Sequence, residues 1–161
     1  MSEEIVERIE YPPGYRFLPT DEELVNPYLM NKAAGRPLPC HAIQEIDATE
    51  LYSKPPRSLV TFSHREREWF FFIHEDENSN ANRKKVRVVG NGNGCWKQTI
   101  DEYPICNTNE NILAFKTHLT YFSATGKKTH WKMEEYRLRV TNAGCNTNKE
   151  FKVKPKLLLN L

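Results

Sequence analysis

Cations spaced for phosphate contact are the first chemistry legible in this chain. In RKKVRVV, residues 83–89, Arg83, Lys84, Lys85 and Arg87 crowd one short stretch. On a strand, Arg83, Lys85 and Arg87 would share one face, a stripe suited to a polyanion backbone. The same cluster also fits a solvated strand or a nuclear import signal. Lys116, Lys127 and Lys128 form a second rank, with Lys127 and Lys128 at the tip of an expected hairpin. CWKQTI, residues 95–100, reads as a strand. Its Trp96 suits a core, Lys97 suits the outside, and Gln98 has the side-chain amide that can pair with adenine N6 and N7.

Other chemistries find no frame. Five His and four Cys invite a zinc reading, but ten residues separate Cys95 from Cys106, and His118 and His130 make no close ligand pair. No nucleophile elbow, Walker loop or dinucleotide fingerprint occurs, and GNGNG, residues 90–94, lacks the strand–turn–helix setting those motifs need. No catalytic site, metal, cofactor or small-molecule substrate is expected.

The stretch over residues 11–29, YPPGYRFLPTDEELVNPYL, organises the rest. Pro12, Pro13 and Pro19 make it a stiff extended arm, on which Tyr15 and Phe17 alternate with Arg16. Thr20 then opens a helix. Its hydroxyl can cap the first turn while Glu23 reaches back, with Asp21 and Glu22 at the positive end of the dipole. Leu24, Val25, Tyr28 and Leu29 supply an apolar stripe. Pro27 lies inside this helix, so a kink or a restart is expected there.

The 161 residues suffice for one domain with a real core, and 39% hydrophobic with 27% charged residues is an ordinary profile. The longest apolar runs, such as residues 69–73, are too short to span a bilayer. Residues 1–10 carry four glutamates and no cationic apolar leader, so an intracellular chain with reduced cysteines is expected. The net charge of +2 conceals an asymmetry. Residues 1–50 hold 4 Lys/Arg against 10 Asp/Glu, whereas residues 51–100 hold 9 against 5 and residues 101–161 hold 10 against 6. An acidic front and a basic back can present a self-association surface and a polyanion surface, or simply two solvated faces.

Further along, Gly35 is a helix stop and residues 36–39, RPLP, an extended turn. EWFFFI, residues 68–73, reads as a strand buried on both faces. A basic strand over residues 83–89 follows, and then a glycine-rich turn. Residues 111–122 form a long strand, 124–126 a turn, and 127–140 the returning antiparallel strand. Residues 151–159 add an edge strand.

PPGYRFLPTDEELV closely resembles the opening signature of the plant NAC transcription-factor domain, P-P-G-F-R-F-x-P-T-D-E-E-L-V. Lys32, Gly35, Pro37, Leu38 and Pro39 match its K-x-x-G-x-P-L-P element, and residues 41–52 resemble its acidic I-x-E-x-D-L-Y block. Residues 68–72 resemble E-W-Y-F-F, and residues 122–138 resemble the hairpin ending K-T-x-W-x-M-H-E-Y-R-L. The resemblance runs from residue 11 to about residue 139. The tryptophan of the usual P-W-D-L-P is missing, leaving its place to Leu59 or Phe62.

The resemblance implies an α+β domain, a single twisted antiparallel β-sheet packed between a few helices. It implies residues 1–10 as an acidic extension and residues 11–161 as one DNA-binding and dimerisation domain, with 141–161 a divergent edge. It also implies a dimer, with itself or with other NAC proteins, through Tyr11, Pro12, Pro13, Gly14, Arg16 and Glu23, Arg16 pairing with the partner's helix glutamate. Double-stranded DNA is the implied partner and the nucleus the implied compartment. The family's W-K-A-T-G-x-D-K strand edge enters the major groove. Here Trp96, Lys97 and Thr99 match it, Gln98 replaces alanine, and residues 100–103, IDEY, replace G-x-D-K. These changes remove a flexible glycine and a cation and put two carboxylates close to phosphate. A sequence-specific transcription regulator is therefore one expectation, and a dimerisation module with weak or altered DNA binding the other. The chain has about twenty residues after Arg139, so it is expected either to have been cut or to lack the family's usual activation region.

Overall fold

A computed structural model describes residues 17–39, 42–60, 68–74 and 85–139, together with the backbone of 157–159. Thr20 caps the first helical turn, its hydroxyl accepting from the Glu23 backbone N–H at 3.2 Å. The other half of the expected capping box differs. The Thr20 hydroxyl meets the Glu23 carboxylate at 3.1 Å, side chain to side chain. Helix α1, Asp21–Glu23, runs into Leu24–Leu29, where two helical pieces meet across a kink, and then α2, Met30–Ala33. Asn26 leaves helical geometry at φ −133° and ψ 111°. A residue before proline is crowded out of the α region, so the break falls at Asn26 and the helix resumes beyond it. Gly35, at φ +69°, ends the helix as expected.

Strand β1, Gln44–Asp47, leads into α3, Ala48–Leu51, and α4, Pro56–Leu59. The aromatic run then divides. Glu68–Trp69 is β2, and Phe71–His74 is β3, which pairs in parallel with β1 as a separate two-stranded sheet. Strands β4 (Val86–Val88), β5 (Gly94–Cys106), β6 (Ile112–Ser123), β7 (Lys128–Leu138) and β8 (Leu157–Leu159) complete a six-stranded sheet in the order β2-β8-β7-β6-β5-β4, antiparallel throughout. The expectation of an α+β fold holds, with the β1–β3 pair added to it. The closing strand differs from expectation, because β8 lies between β2 and β7 and is no edge.

Alternation sets up two cores. Trp69, Phe71 and Ile73 join Leu51, Trp96, Tyr121 and Met133 in one cluster, beside α3 and α4. Phe70 and Phe72 join Leu24, Val25, Leu29, Ala114 and Tyr136 in the other, under the N-terminal helix. The expectation of burial on both faces of the aromatic run is thereby met, since neighbouring side chains serve different cores. Leu59 is half-buried against the first cluster, where the missing tryptophan was sought; Phe62 lies outside the described residues.

Candidate nucleic-acid interface

Lys97 sits on β5 where β4 still covers the strand: Val86 faces Lys97, Arg87 faces Trp96 and Val88 faces Cys95. One further bond, from the Gln98 N–H to the Lys85 carbonyl at 2.7 Å, closes this pairing. From Thr99 onward β5 has no neighbour on its outer side among the described residues, and residues 99–104 are exposed there. Register shifts between Gln98 and Ile100 and between Ile100 and Tyr103 mark bulges in this margin. The turn before β5 depends on glycine. Gly94 has φ +123°, and a Cβ there would press on the Phe122 carbonyl and lie 2.6 Å from the Tyr121 hydroxyl.

Trp96 is fully buried, its ring 5.3 Å from that of Tyr121. Alternation therefore turns Lys97 outward, and its ammonium lies 4.6 Å from the centroid of the Phe122 ring. The Gln98 amide donates to the Ile100 carbonyl at 3.1 Å and the Thr99 hydroxyl to that of His118 at 3.5 Å, both internal to the sheet. Lys127 and Lys128 are exposed at the β6–β7 hairpin, where Gly126 takes φ +80°. Lys85 is exposed just before β4.

Two of the expected phosphate contacts are placed elsewhere. Arg87 points into the first core, 6% exposed, in bidentate contact with Glu135 and 2.6 Å from the Tyr52 hydroxyl. Burial alone would push the Arg87 guanidinium pKa down, but the Glu135 carboxylate outweighs it and raises it. The outward stripe thus loses its third member. Lys116 is also buried at 6%, 3.0 Å from both Asp21 oxygens and 3.4 Å from Glu134. Its desolvation is likewise overcome by the Asp21 hydrogen bond and the Glu134 charge, so its pKa is raised. Lys116 fastens the N-terminal helix to the sheet, with its charge already matched by Asp21 and Glu134. Arg83 and Lys84 lie outside the described residues, as do Tyr11, Pro12, Pro13, Gly14 and Arg16 of the expected dimer arm. Glu23 is exposed.

Two of the residues that replace the family's G-x-D-K, Glu102 and Tyr103, have found partners within the sheet. Glu102 accepts from Arg137 at 2.7 Å and from the Thr117 hydroxyl at 3.4 Å. The Tyr103 ring stacks on His118 with centroids 5.6 Å apart, and the hydroxyl lies 2.8 Å from His118 Nε2. Of these two carboxylates, Glu102 is engaged by Arg137 and Asp101 has no partner among the described residues. Sequence reasoning missed Lys132, exposed on β7 opposite Thr120; its alternation with Lys128 and His130 was the available signal.

These features define an α+β domain with a lysine-bearing sheet face beside a bulged strand margin. The chain belongs to the No apical meristem (NAM) protein family, whose model matches residues 12–138. It is 38% identical to "NAC transcription factor 32" of Arabidopsis thaliana over 134 residues, 81% of this chain and 50% of that protein. It is 36% identical to "NAC domain-containing protein 58" of Oryza sativa subsp. japonica over 151 residues, 88% of this chain and 37% of that protein. With "NAC transcription factor NAM-1" of Hordeum vulgare subsp. vulgare it shares 38% identity over 148 residues, 86% of this chain and 35% of the relative. The chain thus spans half or less of the length of these relatives.

Proposed function

We propose that this chain is a sequence-specific, double-stranded-DNA-binding transcription regulator. It acts in the nucleus as a dimer, with itself or with another NAC protein, and the segment from Trp96 to Thr99 enters the major groove. The observation carrying this reading is the placement of Lys97. Buried Trp96 locks the strand, and Lys97 projects from it, exposed, at the point where β4 stops covering the sheet margin. A two-stranded ribbon is thin enough for a major groove, and an outward lysine there meets either phosphate or a guanine edge. Lys85, Lys127 and Lys128 add exposed cations around it. The relatives' names support the transcription reading.

A second reading is favoured by the margin beyond Thr99, where Ile100 is 50% exposed and Asp101 stands beside it. An apolar side chain and a carboxylate with no partner among the described residues suit phosphate poorly, which fits a dimerisation module that binds DNA weakly. Fluorescence anisotropy with a duplex carrying a CGT core, the kind of core that the family resemblance implies, and with a scrambled duplex, each at two salt concentrations, separates the two. Tight, core-dependent binding with a steep salt slope is expected. Equal, weak binding to both duplexes would transfer the proposal to the dimerisation module.

A further inference from the structure

Resting on the reading that the chain binds duplex DNA, we propose that the phosphate-binding surface extends from the β5 margin across the outer face of the sheet to β7, and that Lys132 is a phosphate contact on it. The sheet register carries this. Lys97 on β5 faces Thr120 on β6, and Thr120 faces Lys132 on β7. Beyond an irregularity in the β6–β7 register, Phe122, which pairs with Cys95, faces Lys128. Residues opposite one another project from the same face, so Lys97, Lys128 and Lys132 share it. Two strand spacings separate Lys97 from Lys132, roughly 10 Å between backbones. Each flexible stem then lets its ammonium seek a different phosphate of one duplex.

The same face is closed at its other end. Lys116 lies there too, but the N-terminal helix covers it and Asp21 and Glu134 neutralise it. At the open end, Lys97, Lys128 and Lys132 are exposed and have no carboxylate partner among the described residues. Glu134, the next residue on that face of β7, is occupied by Lys116 and by the Tyr136 hydroxyl at 3.2 Å. A group of exposed lysines whose nearest carboxylate on that face among the described residues, Glu134, is already engaged is complementary to a sugar–phosphate backbone. Tyr103 stands where the family pattern has its last lysine, and Lys132 falls at an unspecified position of that pattern. The cation lost from the margin is thereby regained two strands away.

The test is a salt titration of duplex binding for the wild type, Lys132→Ala, Lys132→Gln and Lys132→Arg, with the fold of each checked by circular dichroism and thermal unfolding. Removing the charge should flatten the plot of log affinity against log salt by about one unit and weaken cognate and scrambled duplexes by the same factor. Lys132→Arg should keep the wild-type slope. A wild-type slope in both charge-removing variants, with the wild type itself binding in a salt-dependent way, overturns the role of Lys132 and leaves the DNA-binding reading intact. Absence of salt-dependent binding by the wild type overturns both.

Discussion

Arg87 on β4 and Glu135 on β7 form a buried ion pair that reaches across the two strands between them, each side chain only 5% exposed. Arg87 Nη2 donates to Glu135 Oε2 at 2.9 Å, and the Tyr52 hydroxyl donates to Glu135 Oε1 at 3.3 Å. Arg87 faces Trp96 in register, so the pair lies on the sheet face opposite the one from which Lys97 projects. Removing one partner would strand a charge in the core. Glu135→Gln should therefore cost about 3–5 kcal/mol, and Arg87→Met with Glu135→Leu together considerably less, because no unpaired charge remains. Urea unfolding of the single and double variants measures this. An equal loss in both would show that packing, not charge, sets the cost.

Lys116 offers a test of whether a lysine is structural or binds phosphate. With Asp21 at 3.0 Å, and the Tyr136 hydroxyl 2.6 Å from the same carboxylate, it holds the helix start against the sheet. Lys116→Ala should lower stability by about 1–3 kcal/mol, the cost of leaving charged hydrogen bonds unmade, reduced by the partial exposure of Asp21. It should leave the salt slope of DNA binding unchanged. A flattened slope in a folded Lys116→Ala protein would restore it to the phosphate contacts.

Lys97 and Arg16 separate DNA binding from association. Lys97→Ala should weaken duplex binding, by about 1–3 kcal/mol if the lysine reads a base edge, without changing the sedimentation behaviour of the free protein. Arg16→Ala, in the arm outside the described residues, should shift the free protein toward monomer and weaken binding as well. A dimer that survives Arg16→Ala would locate the self-association surface elsewhere.

His118 makes part of the stability depend on pH. Partial burial lowers its pKa below the usual 6.5; Glu134 opposes this, and the nearby Lys116 charge adds to it. A histidine held more easily neutral in the fold than in the unfolded chain contributes stability above pH 6.5, lost as pH falls through the lower folded value. The loss should appear as a denaturation midpoint that falls as pH drops below 6.5. His118→Gln should flatten that fall. A profile identical in the variant would assign the pH dependence to other groups.

Much of the scaffold was legible in the chain because local rules govern it. Thr20 and Glu23 are three residues apart, Asn26 precedes a proline, and alternation in the aromatic run divides side chains between two faces whatever those faces meet. The long β6–β7 hairpin and the burial of Trp96 followed in the same way. The position of β8 inside the sheet was not legible, because strand order is a matter of long-range pairing that local pattern does not encode.

The site divides along the same line. By itself the sequence determined the family, the alternation that turns Lys97 out when Trp96 turns in, and the cationic character of the second half of the chain. Only the tertiary structure decided which cations remain free. Arg87 and Lys116 look no different from Lys97 and Lys132 in a string of letters, but Glu135 and Asp21 approach the first two from residues 48 and 95 positions away. A charge is available to a partner only if the fold leaves it hydrated and unpaired, and that depends on which carboxylates long-range packing brings within hydrogen-bonding reach.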